Sequence, residues 1–445
     1  MYQFPKDLYA DVRIEEMYGI WLEMRNGETE YDSARKVTGA MIRVFDGTMW
    51  YTGTTNKLDE IQKELDNLAA LATPNPDILN HPMVKKLEVH KVNIEKFTGE
   101  QDIRNIGRSR WKELSDHYIE TCVDESIPEI NDWKVEVSGR HIKKSFYSSK
   151  GAEILQDFQE CWLTCSYGFT VDGVTTYGVK YYSKFFMEDL LGKEEEIIKE
   201  RDRYLDFVRN AVPVEPGEYT CVLSPAVTAL FTHESFGHKS EADYMLNDKT
   251  LQDEWVIGKK VGSPLVSICD RGDMLNHGYT PYDDEGTKAK GVWLMKDGVL
   301  TGRLHDAKSA AVLKEELTGN CRAESYESFP IVRMTNTYMA AGKDDPEQMI
   351  KDVKDGIYIY TENGGTGGAI FTMQPAISYR IRDGKLCEPL KINVITGNVF
   401  ETLFNVDAVG TDFELFDTSF CGKDGQWIEV SDGGPSIRVK KLTVN

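Results

Sequence analysis

The segment Pro213-Val214-Glu215-Pro216-Gly217 places two prolines and a glycine within five residues. Proline lacks the backbone N–H that a helix interior or a central strand requires. Neither element can run through this point. The break falls near the middle of a 445-residue chain, a length that more readily fills two cores than one. It divides the chain into an N-terminal domain, 1–212, and a C-terminal domain, 213–445.

The first domain reads as strands followed by helices, then returns to strands. Arg13 to Trp21 is rich in strand formers, and Asp46-Gly47 sits between alternating apolar runs from Met41 to Thr52. That dipeptide suits a type I′ turn, whose two central residues take positive φ. KLDEIQKELDNLAALA sets Leu58, Ile61, Leu65 and Leu68 on one helical face. A second helix is expected over Ile103 to Cys122. From Lys134 to Lys180 the runs WKVEVSG, HIKKSFYSSKG, CWLTCSYGFTVDG and VTTYGVKYYSK read as strands between glycine-bearing turns. After Gly192 comes a charged helix with Ile197, Ile198, Leu205, Val208 and Val212 in helical period.

The second domain opens with a strand, YTCVLSP, and a helix, PAVTALFTHESFGH, and is then mostly β. Turns are expected at Asp297-Gly298, Asn363-Gly364, Asp383-Gly384 and Asp424-Gly425, with one further helix over Ala307 to Leu317. No fixed-period repeat is visible. Strand runs with segregated helices indicate an α+β fold. The N-terminal domain is then mixed α/β, and the C-terminal one is largely antiparallel β around a short helix.

Charge and cysteine content narrow the function. Asp and Glu number 73 against 52 Lys and Arg, giving a formal charge of −21. Such a surface disfavours direct nucleic-acid binding, which exchanges protein cations for phosphate counterions, and it disfavours anionic lipid as well. The eight cysteines are scattered, with neither disulfide-scaffold density nor paired CxxC spacing. The closest pair, Cys161 and Cys165, reads as packed, reduced thiols. No stretch is long and apolar enough to cross a bilayer, and MYQFPKDLYADVRIEE lacks the layout of a signal peptide. The expectation is a soluble, cytoplasmic protein.

Most histidines stand alone, but His233-Glu234-Ser-Phe-Gly237-His238 groups two with a carboxylate at the end of a helix. Ser224-Pro225 supplies the helix cap. In HExxH motifs the histidines lie at i and i+4, about 40° apart; here they lie at i and i+5, about 140° apart in an ideal helix. To face one ion the helix must either bulge to π geometry or end near Gly237, which leaves helical φ and ψ cheaply. Catalytic zinc needs a third ligand and an open position. Cys421, in the glycine-rich polar segment SFCGKDGQ, is a candidate thiolate; the alternative is an ordinary loop thiol.

TALFTHESFGHKSEADY with Glu241 after the HExxxH, YDDEGTKAKGV, LTGNCR, NVITGNVFETLFNVDAVGTD, CGKDGQ and GGPSIRV follow one another in that order. Together these motifs resemble the TldD/PmbA metalloprotease family, in its active TldD type. The resemblance implies His233, His238 and Cys421 as ligands of one Zn2+ per active subunit, with Glu234 as catalytic base. It further implies a homodimer, or a heterodimer with a paralogous subunit, around an enclosed cavity where short or unfolded peptides bind as an added strand. Cys321 after TGN, Lys239 after the second histidine and a shorter N-terminus depart from the family pattern. Either DDEGT and Glu241 support the histidines from behind, or they are solvated acidic groups. Asn363-Gly-Gly-Thr-Gly-Gly368 either admits a close backbone approach or is a turn. The expected activity is zinc-dependent peptide hydrolysis; the rival is a silent, peptide-binding or regulatory subunit of a TldD/TldE-like complex.

Overall fold

Strands of 17 to 19 residues dominate the first half of the chain. In the computed structural model, which describes residues 2–445, these are β1 (Tyr9–Arg25), β2 (Glu28–Phe45), β5 (Ile130–Ser148) and β6 (Glu153–Val171). With β3 (Trp50–Thr55), β4 (Lys91–Ile94) and β7 (Val174–Lys184) they form one sheet of order β3-β2-β1-β5-β6-β4, β7 also pairing β6. The pairing is antiparallel except between β4 and β6. Helices α1 (Ile61–Leu71), α2 (Pro82–Lys86), α3 (Arg108–Cys122) and α4 (Glu194–Asn210) complete this half.

Strand periodicity decides which face the helices take. Val12 of β1 packs with Ile61, Leu65 and Leu68 of α1, and Ile20 and Leu22 pack with Trp111 and Leu114 of α3. Leu58 stays exposed. The helical period expected after Gly192 ends before Val212, which is also exposed. Cys161 and Cys165 are free thiols buried in this core.

Two glycine expectations change. WKVEVSG and HIKKSFYSSKG are one strand, β5, because Gly139 makes room rather than a turn: a Cβ there would meet the Trp111 ring at 2.5 Å. The Asp46-Gly47 hairpin exists, but as a loop of residues 46–49 in which only Gly47 has positive φ. The Asp46 carboxylate closes it by accepting the N–H groups of Thr48 and Met49 at 2.7 and 2.9 Å. The two-residue positive-φ pattern holds at Asp297-Gly298, Asp383-Gly384 and Asp424-Gly425.

The second half begins with β8 (Val212–Pro213) and β9 (Gly217–Leu223), followed by α5 (Pro225–Thr232) and α6 (Lys249–Glu254). Next come β10 (Ile268–Arg271), β11 (Gly291–Lys296), β12 (Val299–Leu300), α7 (Ala307–Leu313), β13 (Cys321–Arg322), β14 (Ile331–Val332) and β15 (Asn336–Met339). The last strands are β16 (Asp355–Thr366), β17 (Ile370–Arg382), β18 (Lys385–Lys391), β19 (Ile395–Asn398), β20 (Val406–Val409), β21 (Glu414–Lys423), β22 (Gln426–Gly434) and β23 (Ile437–Val444). β16, β9, β23, β19 and β17 close into a ring, since β17 pairs back onto β16. A six-stranded sheet, β12-β11-β10-β15-β22-β21, lies beside it, and α5 touches strands of both.

Three further expectations are corrected. Pro213 does lie in a sheet, in the two-residue strand β8 at its edge, where no N–H is demanded. Asn363-Gly364 is not a hairpin turn; it lies inside β16, where the register with β17 slips between Glu362 and Gly365. The helix α7 stops at Leu313 because Lys314 turns left-handed, with φ 59°. The architecture is α+β, a mixed α/β half followed by a largely antiparallel β half. No helix among the described residues is long and apolar enough to cross a membrane.

Candidate metal centre

The site begins with a helix start. Ser224 Oγ accepts the N–H of Val227 at 3.3 Å and Pro225 occupies the first turn, a cap worth about 1 kcal/mol. Val227 and Phe231 are buried, and Phe231 meets Phe371 edge-on at 5.1 Å. From His233 to Gly237 the backbone widens into a π turn, the N–H of His238 bonding the carbonyl of His233. This wider turn brings the i and i+5 rings together: their centroids are 4.9 Å apart, at 90°. Of the two possibilities left open by the spacing, the structure takes the π bulge. Gly237 itself stays right-handed, at φ −57° and ψ −56°. A Cβ on it would lie 2.1 Å from Met334 Sδ, so glycine serves close packing and not an escape from the helix.

Cys421 arrives on β21, paired with Ile428 of β22, and is 1% exposed. It is a strand residue, not a loop thiol. Its Sγ lies 3.5 Å from His238 Nε2, and one ligand atom from each of His233, His238 and Cys421 lies within 4.8 Å of the others. Burial alone would raise the thiol pKa; the two imidazoles outweigh it and lower it to about 6. His238 is moved up to about 9, against burial, by Cys421 and Glu241. A thiolate between two imidazoles is a donor set that suits zinc. No other such cluster occurs among the described residues; His141 and His305, for example, face Asp157 and Glu315.

Behind each imidazole stands a carboxylate. His238 Nδ1 is 3.2 Å from Glu241 Oε2, and Glu241 is wholly buried. His233 Nδ1 is 2.7 Å from Asp432 Oδ1 on β22. Sequence reasoning singled out Glu241 but missed Asp432, which no local pattern ties to the helix.

The DDEGT segment does not reach the histidines. Asp283 accepts the N–H groups of Thr287 and Cys321 at 2.8 and 3.0 Å. Asp284 pairs with Lys144 at 3.1 Å and lies 3.8 Å from Arg13. Glu285 accepts the N–H of Ala307 at 3.0 Å and lies 3.7 Å from Arg43. All three carboxylates are buried. Asp284 and Glu285 fasten the C-terminal half to cations of the N-terminal sheet, while Asp283 ties the segment to its own half, so neither reading considered for them, ligand support or a solvated turn, holds. Burial pushes the Glu285 carboxyl up to about 7 despite Arg43.

Glu234 is half-buried beside His233. The glycine-rich stretch passes over it: a Cβ on Gly367 would stand 1.6 Å from the Glu234 carbonyl oxygen. The close approach is thus made by the chain's own backbone. Glu362 is a second carboxylate that sequence reasoning missed. Burial raises its pKa to about 7, the Gly364 amide opposing and the charges of Asp432 and Glu234 adding.

The family model described as PmbA/TldA metallopeptidase C-terminal domain matches residues 216–445, and the one described as PmbA/TldA metallopeptidase domain 1 matches residues 10–73. The chain belongs to the PmbA/TldD family. A metalloprotease of Synechocystis sp. is 30% identical over 100% of this chain and 96% of its own length. A protein named zinc metalloprotease TldD homolog, from Saccharolobus solfataricus, is 29% identical over 98% of this chain and 96% of its own. In fold, this PmbA/TldD chain is similar to TldE from Thermococcus kodakarensis, with TM-score 0.77 and 15% identity over 98% of this chain and 96% of that one. A Thermotoga maritima structure gives TM-score 0.78 at 20% identity, with the same coverage.

Proposed function

We propose that this PmbA/TldD-family protein is a cytoplasmic, zinc-dependent peptidase that hydrolyses short or unfolded peptides. One observation carries the reading: two imidazoles and a thiolate of lowered pKa converge within 4.8 Å. His233, His238 and Cys421 would hold one ion per chain. Zinc bound there supplies Lewis acidity toward a carbonyl and acidifies a water.

The chain's own groups do the rest. Asp432 and Glu241 fix the ring orientations from behind. Glu234, next to a ligand, takes the proton of the attacking water and returns it to the leaving amine. β21 ends its sheet and carries Cys421. A peptide adding along its free edge would be held by main-chain hydrogen bonds, with little side-chain selection. The reading includes a second subunit, identical or paralogous. Trp21, Tyr31, Tyr181 and Phe420, all exposed, offer it an aromatic surface.

The test is zinc content together with peptide cleavage. Wild type should carry one zinc per chain and cleave unfolded peptides, and Glu234→Ala should keep fold and zinc while losing cleavage. Normal cleavage by that variant would refute the mechanism. A folded wild-type chain without zinc would favour the silent subunit instead, a reading against which the complete ligand set counts.

A further inference from the structure

Cys421 and Lys423 lie two residues apart on β21 and so share one face of the strand. The Lys423 side chain is 1% exposed. Its ammonium lies 2.7 and 2.8 Å from the Asp243 carboxylate oxygens, 2.9 Å from the Val332 carbonyl and 4.1 Å above the Tyr244 ring. It also lies 3.3 Å from Glu241 Oε2, the same oxygen that His238 Nδ1 meets at 3.2 Å. The other oxygen, Glu241 Oε1, is buried with no hydrogen-bond partner. The His238 contact and the Lys423 ion pair thus fall on the same oxygen.

We infer that Lys423 is a positioning residue of the metal centre, holding Glu241 against His238 through a buried ion pair. The inference rests on the reading of the cluster as a zinc site. Among the described residues Lys423 is the one lysine or arginine within ion-pair distance of Glu241, and a buried carboxylate that loses such a partner loses much of its compensation. Asp243 anchors the ammonium from the other side, giving the chain Asp243–Lys423–Glu241–His238. Lys423 and His238 compete for one oxygen, so the lysine fixes where that oxygen points and how much negative charge reaches the imidazole. A single strand thereby delivers one ligand directly and steadies a second from behind. A shift of β21 would disturb both together.

The experiment uses the full chain, stripped of metal and reloaded. Zinc affinity is read by chelator competition, and site geometry by the visible bands of the Co2+-loaded protein. Lys423→Met should weaken zinc about 10- to 100-fold and shift the cobalt bands. Glu241→Gln should do the same, and the double variant should be no worse than the weaker single one, because both act on one interaction. A folded Lys423→Met protein with wild-type affinity and bands, or losses that simply add in the double variant, overturns the inference. If Lys423→Met fails to fold, Lys423→Arg is read instead: shifted cobalt bands support the inference and unchanged bands overturn it. A wild type that binds no metal overturns the zinc reading itself, and the inference with it. That result differs from a wild type that binds zinc but is indifferent to position 423.

Discussion

His233 Nδ1 lies 2.7 Å from Asp432 Oδ1, across 199 residues of chain. The contact fixes which ring nitrogen remains for an ion. Asp432→Asn should keep the shape of that contact but lose its charge, weakening zinc about 10- to 100-fold. Chelator competition measures this. An unchanged affinity would remove Asp432 from the site.

Gly237 and Met334 make a packing prediction. Gly237→Ala forces a Cβ to 2.1 Å from Met334 Sδ, and overpacking of this kind costs about 1–3 kcal/mol. Gly237→Ala should therefore cost less in a Met334→Ala background than in wild type. Denaturant midpoints of the four proteins in the cycle decide it; equal losses with and without Met334 would refute the clash.

Metal removal should lower stability, because the three proposed ligands meet only in the folded chain. At free zinc about 100-fold above Kd the gain is about 2.7 kcal/mol. Melting with zinc and with chelator should differ in wild type and much less in Cys421→Ser. Equal zinc-dependent shifts in the two would exclude the thiol as a ligand.

Glu285 gives a pH dependence. Its carboxyl stands at about 7 in the fold against an ordinary 4.5. Between those values the folded chain keeps a proton that the unfolded chain releases, so stability falls as pH rises from about 4.5 to about 7. Asp284 is held low by Lys144 and Arg13, against burial, and its share is lost only when pH falls. Glu285→Gln preserves an acceptor for Ala307 and should decline less steeply, Glu362 keeping its own share. Unfolding free energies across that range check it, and parallel curves for the two proteins would refute it.

What the sequence made legible was local chemistry. The cap at Ser224, the buried face of α1 and the need for a non-standard turn between His233 and His238 follow from spacing and residue type. What it hid were close approaches between distant segments. Gly139, Gly237 and Gly367 read as flexible points, yet each makes room for a neighbour: Trp111, Met334 and the Glu234 carbonyl. The DDEGT carboxylates read as ligand support or solvent-facing, because the cations of Asp284 and Glu285, Arg13, Arg43 and Lys144, lie far back in the chain. Asp432 carried no signal at all, since its partner is set by β22 lying under α5.

The order of the elements also has a temporal meaning. Synthesis runs from the N-terminus, so both histidines exist long before Cys421 and Asp432 on β21 and β22, among the last three strands. The final strand, β23, then pairs with β9, which leads directly into the histidine helix. A nascent or truncated chain stopping before β21 holds two imidazoles and no thiolate. On the proposed ligand set, metal loading waits until β21 has been made and placed beside the histidine helix.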